Sequence, residues 1–399
     1  MGKAFSSAVS RTFSEKWTPT LLGATLNGPS FKHLNGGSFM APELEAAAGR
    51  TTKEGVLYIG MDLGCYKTSV AATNGTREVV YSIVGWPKDP ISRKMLGKDI
   101  VFGNEAYQHR LALDVVRPFE KGALKYADNA EAGVAPERLA KFKEAAKELV
   151  KYVVSLCRPP KGTLVYGVIG SPARASILNK QALMDACKGT FEAVMIVSEP
   201  FAVAYGTNTL EDALIVDIGA GTTDLCRMHG AIPTEEDQVT SGKAGDFIDN
   251  LAFELIKKAH PDAQFTINMV REAKERGSFV NDVNDKAIVK WPNKEGRPTD
   301  FDITKELKEA CRAIVPDIVA GLRKLVSSYD AEFQKRMLQN VILAGGGSQL
   351  RGLDRLIEDD LQQYGGGKVT KVHEPVFAGA NGALKLAADM PEDYWKEVK

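Results

Sequence analysis

Charge of one sign, paired cysteines and long apolar runs are all missing from this sequence. Lys plus Arg and Asp plus Glu each number 51 in 399 residues, so the formal net charge is zero. A protein whose main work is coating nucleic acid carries a basic excess, and none exists here. The five cysteines (Cys65, Cys157, Cys187, Cys226, Cys311) are scattered and odd in number, with no CxxC pair. This argues against a disulfide framework or a structural zinc site and fits a reducing cytoplasm. The five histidines form no HExxH. No apolar run reaches the roughly 18–20 residues a membrane-spanning helix needs. The P-loop pattern GxxxxGK followed by Ser or Thr is absent, and no GxGxxG opens a helix after a strand. What is present, 44% hydrophobic and 26% charged residues, is ordinary globular composition. The length allows roughly two to four domains.

Residues 1–54 differ in texture, with 12 Ser/Thr, no Asp and a net charge of +2. They read as a flexible leader; the alternative is an interaction arm for a partner or a membrane surface. Phe5, Phe13, Trp17, Leu21 and Leu22 supply apolar side chains for such an arm, but Pro19 and the threonines interrupt them. Direct membrane anchorage is therefore the weaker expectation, and a partner protein the stronger.

From Val56 the pattern becomes strand–turn–strand. VLYIGMDLGCYKTSVAAT is followed 155 residues later by a second segment of the same kind, ALIVDIGAGTTDLCRMHG. In each, an apolar run ends on an Asp and a Gly turn: Asp62-Leu63-Gly64-Cys65-Tyr66-Lys67-Thr68 aligns with Asp217-Ile218-Gly219-Ala220-Gly221-Thr222-Thr223. Two such elements predict two similar halves with a ligand site in the cleft between them. Gly at such a corner lets backbone N–H groups approach phosphate oxygens, and Thr68, Thr222 and Thr223 offer hydroxyl donors. An Asp cannot bind phosphate directly; it suits the water shell of a divalent cation. Taken alone, DLG is as well read as an ordinary hairpin turn. The clustered glycines, threonines and aspartates of DIGAGTTD fit that bland reading poorly.

Three further segments point the same way. In IVSEPFAVAYG, Glu199 precedes Pro200, which suits the first turn of a helix. Glu199 is then either a helix-dipole partner or a carboxylate that orients an attacking water. NVILAGGGSQLRGL predicts a buried strand, a backbone-lined turn through Gly345, Gly346 and Gly347, then Ser348 and a helix, suited to an adenosine or a phosphate. NMVREAKERGSF places Arg271, Lys274 and Glu275 on one helical face, which alone reads as a solvated charge pattern. Elsewhere, the apolar spacing of 138–156 predicts an amphipathic helix, and that of 303–326 a helix broken or kinked at Pro316. REVVYSIVG (77–85) reads as a third strand, and 280–300 as peripheral loops and short strands.

These motifs resemble the actin, sugar kinase and heat-shock chaperone ATPase superfamily. DLGCYKT is similar to its first phosphate motif, VDIGAGTTD to its second and AGGGSQLRGL to its adenosine motif. SEPFAVAYG and EPVFAGANGALKLA (374–387) are similar to its two connecting helices. Within it the chain resembles bacterial actins, above all the magnetosome-filament group, through GSPARAS (170–176), EDQVT (236–240) and MPEDYW (390–395).

The resemblance implies an α/β, actin-like fold. Two similar lobes, each a mixed sheet flanked by helices, would enclose a nucleotide cleft. One lobe would be 55–207 with 374–399 (smaller subdomain about 85–130), the other 208–373 (smaller subdomain about 241–309). It implies ATP and Mg²⁺ as cofactors, with Asp62 and Asp217 flanking the metal through water. It implies nucleotide contacts from Gly64, Cys65, Tyr66, Lys67, Thr68, Gly219, Ala220, Gly221, Thr222, Thr223, Arg271, Lys274, Glu275, Gly345, Gly346, Gly347 and Ser348. Glu199, with Asp62 and Asp217, would be catalytic. Cys65 stands where the family has Thr or Ser, and a thiol is a poor donor. The function implied is a cytoplasmic ATPase filament, self-assembling and linked by adaptors to magnetosomes or a comparable cargo. A small-molecule kinase, a chaperone-type ATPase and a non-polymerising scaffold are the competing readings; little chain follows ANGALKLA to hold a chaperone's substrate domain.

Overall fold

The computed structural model describes residues 55–121, 123–125, 135–281 and 285–398. The leader reading, 1–54, falls outside them. Strands β1 (Val56–Leu63), β2 (Lys67–Ala72) and β3 (Arg77–Tyr81) come first. A small outer unit follows: β4 (Val84–Pro87), α1 (Pro90–Leu96), β5 (Val101–Phe102), α2 (Gly103–Gln108), β6 (Leu113–Val116) and the pair β7 (Phe119–Glu120) and β8 (Ala123–Leu124). The chain returns through α3 (Pro136–Leu156), β9 (Leu164–Ser171), α4 (Ile177–Cys187), β10 (Ala193–Ser198) and α5 (Glu199–Gly206). The second set is β11 (Ala213–Ile218), β12 (Thr223–Met228), β13 (Gln238–Ser241), α6 (Gly245–Ala259), α7 (Ile267–Gly277), β14 (Ile288–Pro292), β15 (Pro298–Asp302), α8 (Thr304–Arg312), α9 (Val315–Ser327), α10 (Ala331–Leu338), β16 (Val341–Ala344), α11 (Leu353–Leu361) and β17 (Val369–Lys371), followed by α12 (Ala378–Asp389) and α13 (Glu392–Glu397).

Two five-stranded sheets result, ordered β10-β9-β1-β2-β3 and β17-β16-β11-β12-β13. In each, the central strand pairs parallel on one side and antiparallel on the other. The register is also duplicated. Asp62 lies opposite Ser69, and Asp217 opposite Asp224. Nearly continuous burial along β11 and β12 reflects a sheet covered on both faces. Each sheet has its own apolar cluster. The first includes Ile59, Met61, Leu149, Val153 and Ile169; the second includes Leu214, Val216, Ile318, Leu322 and Leu343.

The local expectations hold in most places and shift in two. The predicted amphipathic helix is α3, which buries Phe142, Ala146, Leu149 and Val153. Pro316 divides α8 from α9 and sits in the first turn of α9, where its missing N–H costs nothing. The third strand is shorter than expected. It ends at Tyr81, beyond which Ser82 makes one more bond in register, its N–H to Tyr66 O (2.8 Å), and its hydroxyl donates to Gly64 O (2.6 Å), before β4 starts at Val84 in a separate sheet. The glycine run after β16 enters a 3-10 turn, Gly346–Gln349, and α11 begins only at Leu353.

Two helices join the halves by close backbone contact. A Cβ on Gly382 of α12 would stand 1.8 Å from Ala202 O of α5, and one on Gly206 would stand 2.8 Å from Gly382 Cα. Only glycine allows this crossing. α12 also presses on β1: a Cβ on Gly60 would lie 2.1 Å from both Ala380 O and Leu384 N. Among the described residues no helix is long and apolar enough to cross a membrane.

Candidate active site between the two glycine hairpins

Four carboxylates gather where the two hairpins face each other. Asp62 lies near the end of β1, Asp217 lies in β11, Asp224 lies in β12, and Glu199 opens α5. Glu199 sits over the strand carrying Asp62's neighbour: a Cβ on Gly170 would lie 3.1 Å from Glu199 Cγ, and Gly170 pairs with Asp62 in the sheet. Asp217 and Asp224 are buried, while Asp62 and Glu199 are partly exposed.

Burial and mutual repulsion hold the group toward protonation. Asp62 is pushed up to about 6, by burial first and by Asp224 second. Glu199 is raised well above its ordinary value by burial, then by Asp62, Asp224 and Asp217. Asp217 is raised by burial, then by Asp62 and Asp224. Burial also raises Asp224, opposed by hydrogen bonds from Thr240, Thr222 and Ala173. Each carboxylate thus raises the cost of ionising its neighbours.

Asp224 is the member that sequence reading did not single out. Its Oδ1 accepts from Ala173 N–H at 2.9 Å and from the Thr240 hydroxyl at 2.6 Å. Ala173 belongs to the first half and Asp224 to the second, so this carboxylate also ties the halves together. Its Oδ2 is buried and, among the described residues, has no hydrogen-bond partner. The available signals were the second Asp of DIGAGTTD and the strand register that sets it opposite Asp217. Among the described residues, no three His, Cys, Asp or Glu side chains converge to chelate a metal directly.

The glycines shape the turns. Gly219 N–H donates to Thr222 O (2.9 Å), closing the second hairpin. A Cβ on Gly221 would stand 2.6 Å from Cys65 Sγ and 2.9 Å from Lys121 Cα, so the two hairpins are in near contact. Gly345 has φ +74°, and a Cβ there would lie 2.2 Å from Asp217 Oδ1. Gly347 is packed on Ile218 and Gly346 faces open space, while Ser348 is buried with its hydroxyl on Gly345 O (2.8 Å). Ala220 is held by α6, whose Asp246 N–H donates to Ala220 O (2.7 Å).

Thr68 and Thr223 are fully buried, and their hydroxyls are engaged locally. Thr223 donates to Lys243 O (2.8 Å). The Thr68 hydroxyl lies 2.9 Å from that of Ser82. Because Ser82 already donates to Gly64 O, Thr68 is the donor of that pair. These bonds brace the two hairpins. Thr222 is buried beside Asp224.

Arg271, Lys274 and Glu275 are brought to the cleft by α7, but each has a protein partner. Arg271 bonds Asp249 (2.6 Å) and Asp246 (2.7 Å); Lys274 pairs with Asp249 (2.6 Å) and donates to Gly245 O (2.9 Å). Glu275 pairs with Lys67 of the opposite hairpin at 3.1 Å. The Arg271 guanidinium also lies 4.1 Å from the Tyr66 ring centre, and Arg117 lies 4.9 Å from the same ring. Burial pushes Tyr66 up to about 12, against the opposing charge of Arg271. Asp246, Asp249 and Arg117 carried no recognisable motif. A surface hollow of about 660 Å³ lined by Trp86, Pro87, Lys88, Asp114, Lys141 and Glu144 shares no residue with this site.

Two duplicated sheets, a glycine hairpin on each and a crossing pair of helices define an actin-like nucleotide-binding fold. Residues 57–393 match the family model described as MreB/Mbl protein. The chain belongs to the MreB/Mbl family of actin-like proteins. Among its relatives is the actin-like protein MamK of Paramagnetospirillum magneticum, 38% identical over 342 residues, covering 86% of this chain and 95% of that protein. The solved MamK double helical filament superposes with a TM-score of 0.79 at 38% identity, covering 84% of this chain and 99% of that one. A non-polymerising MamK mutant bound to AMPPNP gives a TM-score of 0.64 at 37% identity, covering 84% and 100%.

Proposed function

We propose that this chain binds ATP with Mg²⁺ between its two hairpins, hydrolyses it, and assembles with copies of itself into a filament. The observation that carries the chemistry is the set of four carboxylates between the hairpins, raised by burial and by one another. The filament reading rests on the likeness to MamK. The lobes are read as 55–207 with 374–399, and 208–373.

Asp62 and Asp217 would hold the cation through water, and the buried Oδ2 of Asp224 would accept from that hydration shell. Bound Mg²⁺ supplies the positive charge that offsets the carboxylate repulsion and neutralises the phosphates. Backbone N–H groups of Gly64, Cys65 and the Ala220–Gly221 turn would cradle phosphate oxygens. Glu199 accepts a hydrogen bond from the attacking water and orients it in line with the terminal phosphoryl group. Gly345, Gly346 and Gly347 line the adenosine side, with Lys274 and Glu275 across from them. Loss of the terminal phosphate removes contacts shared by both hairpins, so the halves rotate about the crossing of α5 and α12. ATP then favours assembly and hydrolysis favours disassembly. Adaptor proteins tie the cytoplasmic filament to its cargo, magnetosomes or a comparable organelle.

The test is light scattering with phosphate release in the same sample on adding Mg²⁺-ATP. The expected trace rises and then decays as phosphate accumulates. Glu199→Gln should still assemble, with phosphate release slower by about 100-fold or more. Release at the unaltered rate would remove Glu199 from its role. No rise, with ATP still consumed, would overturn the filament reading.

A further inference from the structure

The first hairpin carries two bulky side chains that reach the other half of the molecule. Tyr66 and Lys67 follow Cys65 at the turn, where the second hairpin has only Gly221 and Thr222. Two guanidiniums from different halves meet the Tyr66 ring: Arg117, just after β6, at 4.9 Å and Arg271, on α7, at 4.1 Å from its centre. Tyr81 backs the ring edge-on at 5.1 Å. Arg271 is not free to follow the ring elsewhere, because Asp249 and Asp246 fix its Nε and Nη2. One residue on, Lys67 reaches Glu275, one helical turn past Arg271 on α7. Two successive residues of one hairpin thus grip two residues of one helix in the opposite half.

We propose that Tyr66 and Lys67 form a strap across the mouth of the cleft, clamped by Arg117, Arg271 and Glu275, and that opening this strap sets the rate at which nucleotide leaves. This deepens the nucleotide reading above and rests on it. The two parts differ physically. The ring contact is largely desolvated, with Tyr66 only 8% exposed, so salt weakens it little. The Lys67–Glu275 pair is exposed at 36% and 42%, so salt screens it. Breaking the ring contact should have the larger effect, and breaking the pair the salt-sensitive one.

The experiment uses the full chain loaded with a fluorescent ATP analogue and Mg²⁺, chased with unlabelled ATP at low and high salt. Tyr66→Leu should release the analogue about tenfold faster. Tyr66→Phe, which keeps the ring, should release it within about twofold of the unaltered chain. Lys67→Met should release it about two- to threefold faster at low salt and lose most of the salt dependence. Lys67→Glu alone should release faster still, and adding Glu275→Lys should restore slow release. Because Lys67 and Glu275 are surface residues, these variants remain informative if Tyr66→Leu folds poorly. Bound analogue with release unchanged in Lys67→Met and not restored by the charge swap would overturn the strap alone. An unaltered chain that binds no nucleotide would overturn the nucleotide reading, and the strap with it.

Discussion

Gly60 in β1 and Ile215 in β11 hold the same place in their sheets. They lie 155 residues apart, and their partners Ala71 and Cys226 do too. One is a glycine and the other a fully buried isoleucine. The reason is what covers each strand. The backbone of α12 comes down onto β1 so closely that no Cβ fits at residue 60. Ile215 fills its own space with a side chain. The same contrast recurs at the turns. Ser69 and Asp224 are equivalent, as are Tyr66 and Gly221, yet only the second half adds an inner carboxylate and only the first adds a strap. A duplicated backbone has been given unequal chemistry, and the cleft needs both versions.

Making one half copy the other should expose that inequality. Gly60→Ile should have the largest effect, destabilising the chain by about 3 kcal/mol or more through overpacking against α12. A fall in the urea midpoint checks it; an unchanged midpoint would mean the two sheets tolerate the same side chain. Ser69→Asp would set a carboxylate opposite Asp62 at a buried position and should cost about 2 kcal/mol. Its loss should shrink when Mg²⁺-ATP is added, which thermal melts with and without ligand would reveal.

Asp217→Asn should weaken Mg²⁺-dependent nucleotide binding about tenfold, which is about 1.4 kcal/mol. The same change should raise metal-free stability by about 1 kcal/mol, because a repelling buried charge is gone. Unchanged affinity with Mg²⁺ present would contradict its role. The smallest effect concerns pH. Asp62 is raised from 3.8 to about 6, so the folded chain holds its proton more tightly than the unfolded one. The stability this supplies is fully present below about pH 4 and is lost as pH rises through about 6. In metal-free buffer the chain should be on the order of 1 kcal/mol more stable at pH 5 than at pH 7.5 from this group. Asp62→Asn should flatten that part of the profile; an identical slope in both would remove Asp62 as its source.

Much is readable from the sequence because it is local. Asp62, Asp217, Gly64 and Gly219 announce themselves through a repeated strand–turn pattern, which backbone sterics impose wherever a tight corner must approach a ligand. Glu199 is marked by Pro200, and the break between α8 and α9 by Pro316, because proline constrains the chain at its own position. Asp224 was half visible as part of DIGAGTTD, but its bond to Ala173 depends on two segments 51 residues apart. Asp249 and Asp246 hold Arg271 from another helix, and Arg117 meets Tyr66 from beyond β6. None of these has a signature, since a charged residue on a helix looks the same whether solvated or paired.

The order of the strands, the duplicated hairpins and the residue types at the turns were determined by the sequence itself, through periodicity, glycine and proline. Tertiary structure alone decided which carboxylates share one cleft, how far burial raises them, and which side chains bridge the halves. Those properties depend on distance and desolvation between segments far apart in the chain, and neither quantity exists until the chain has folded.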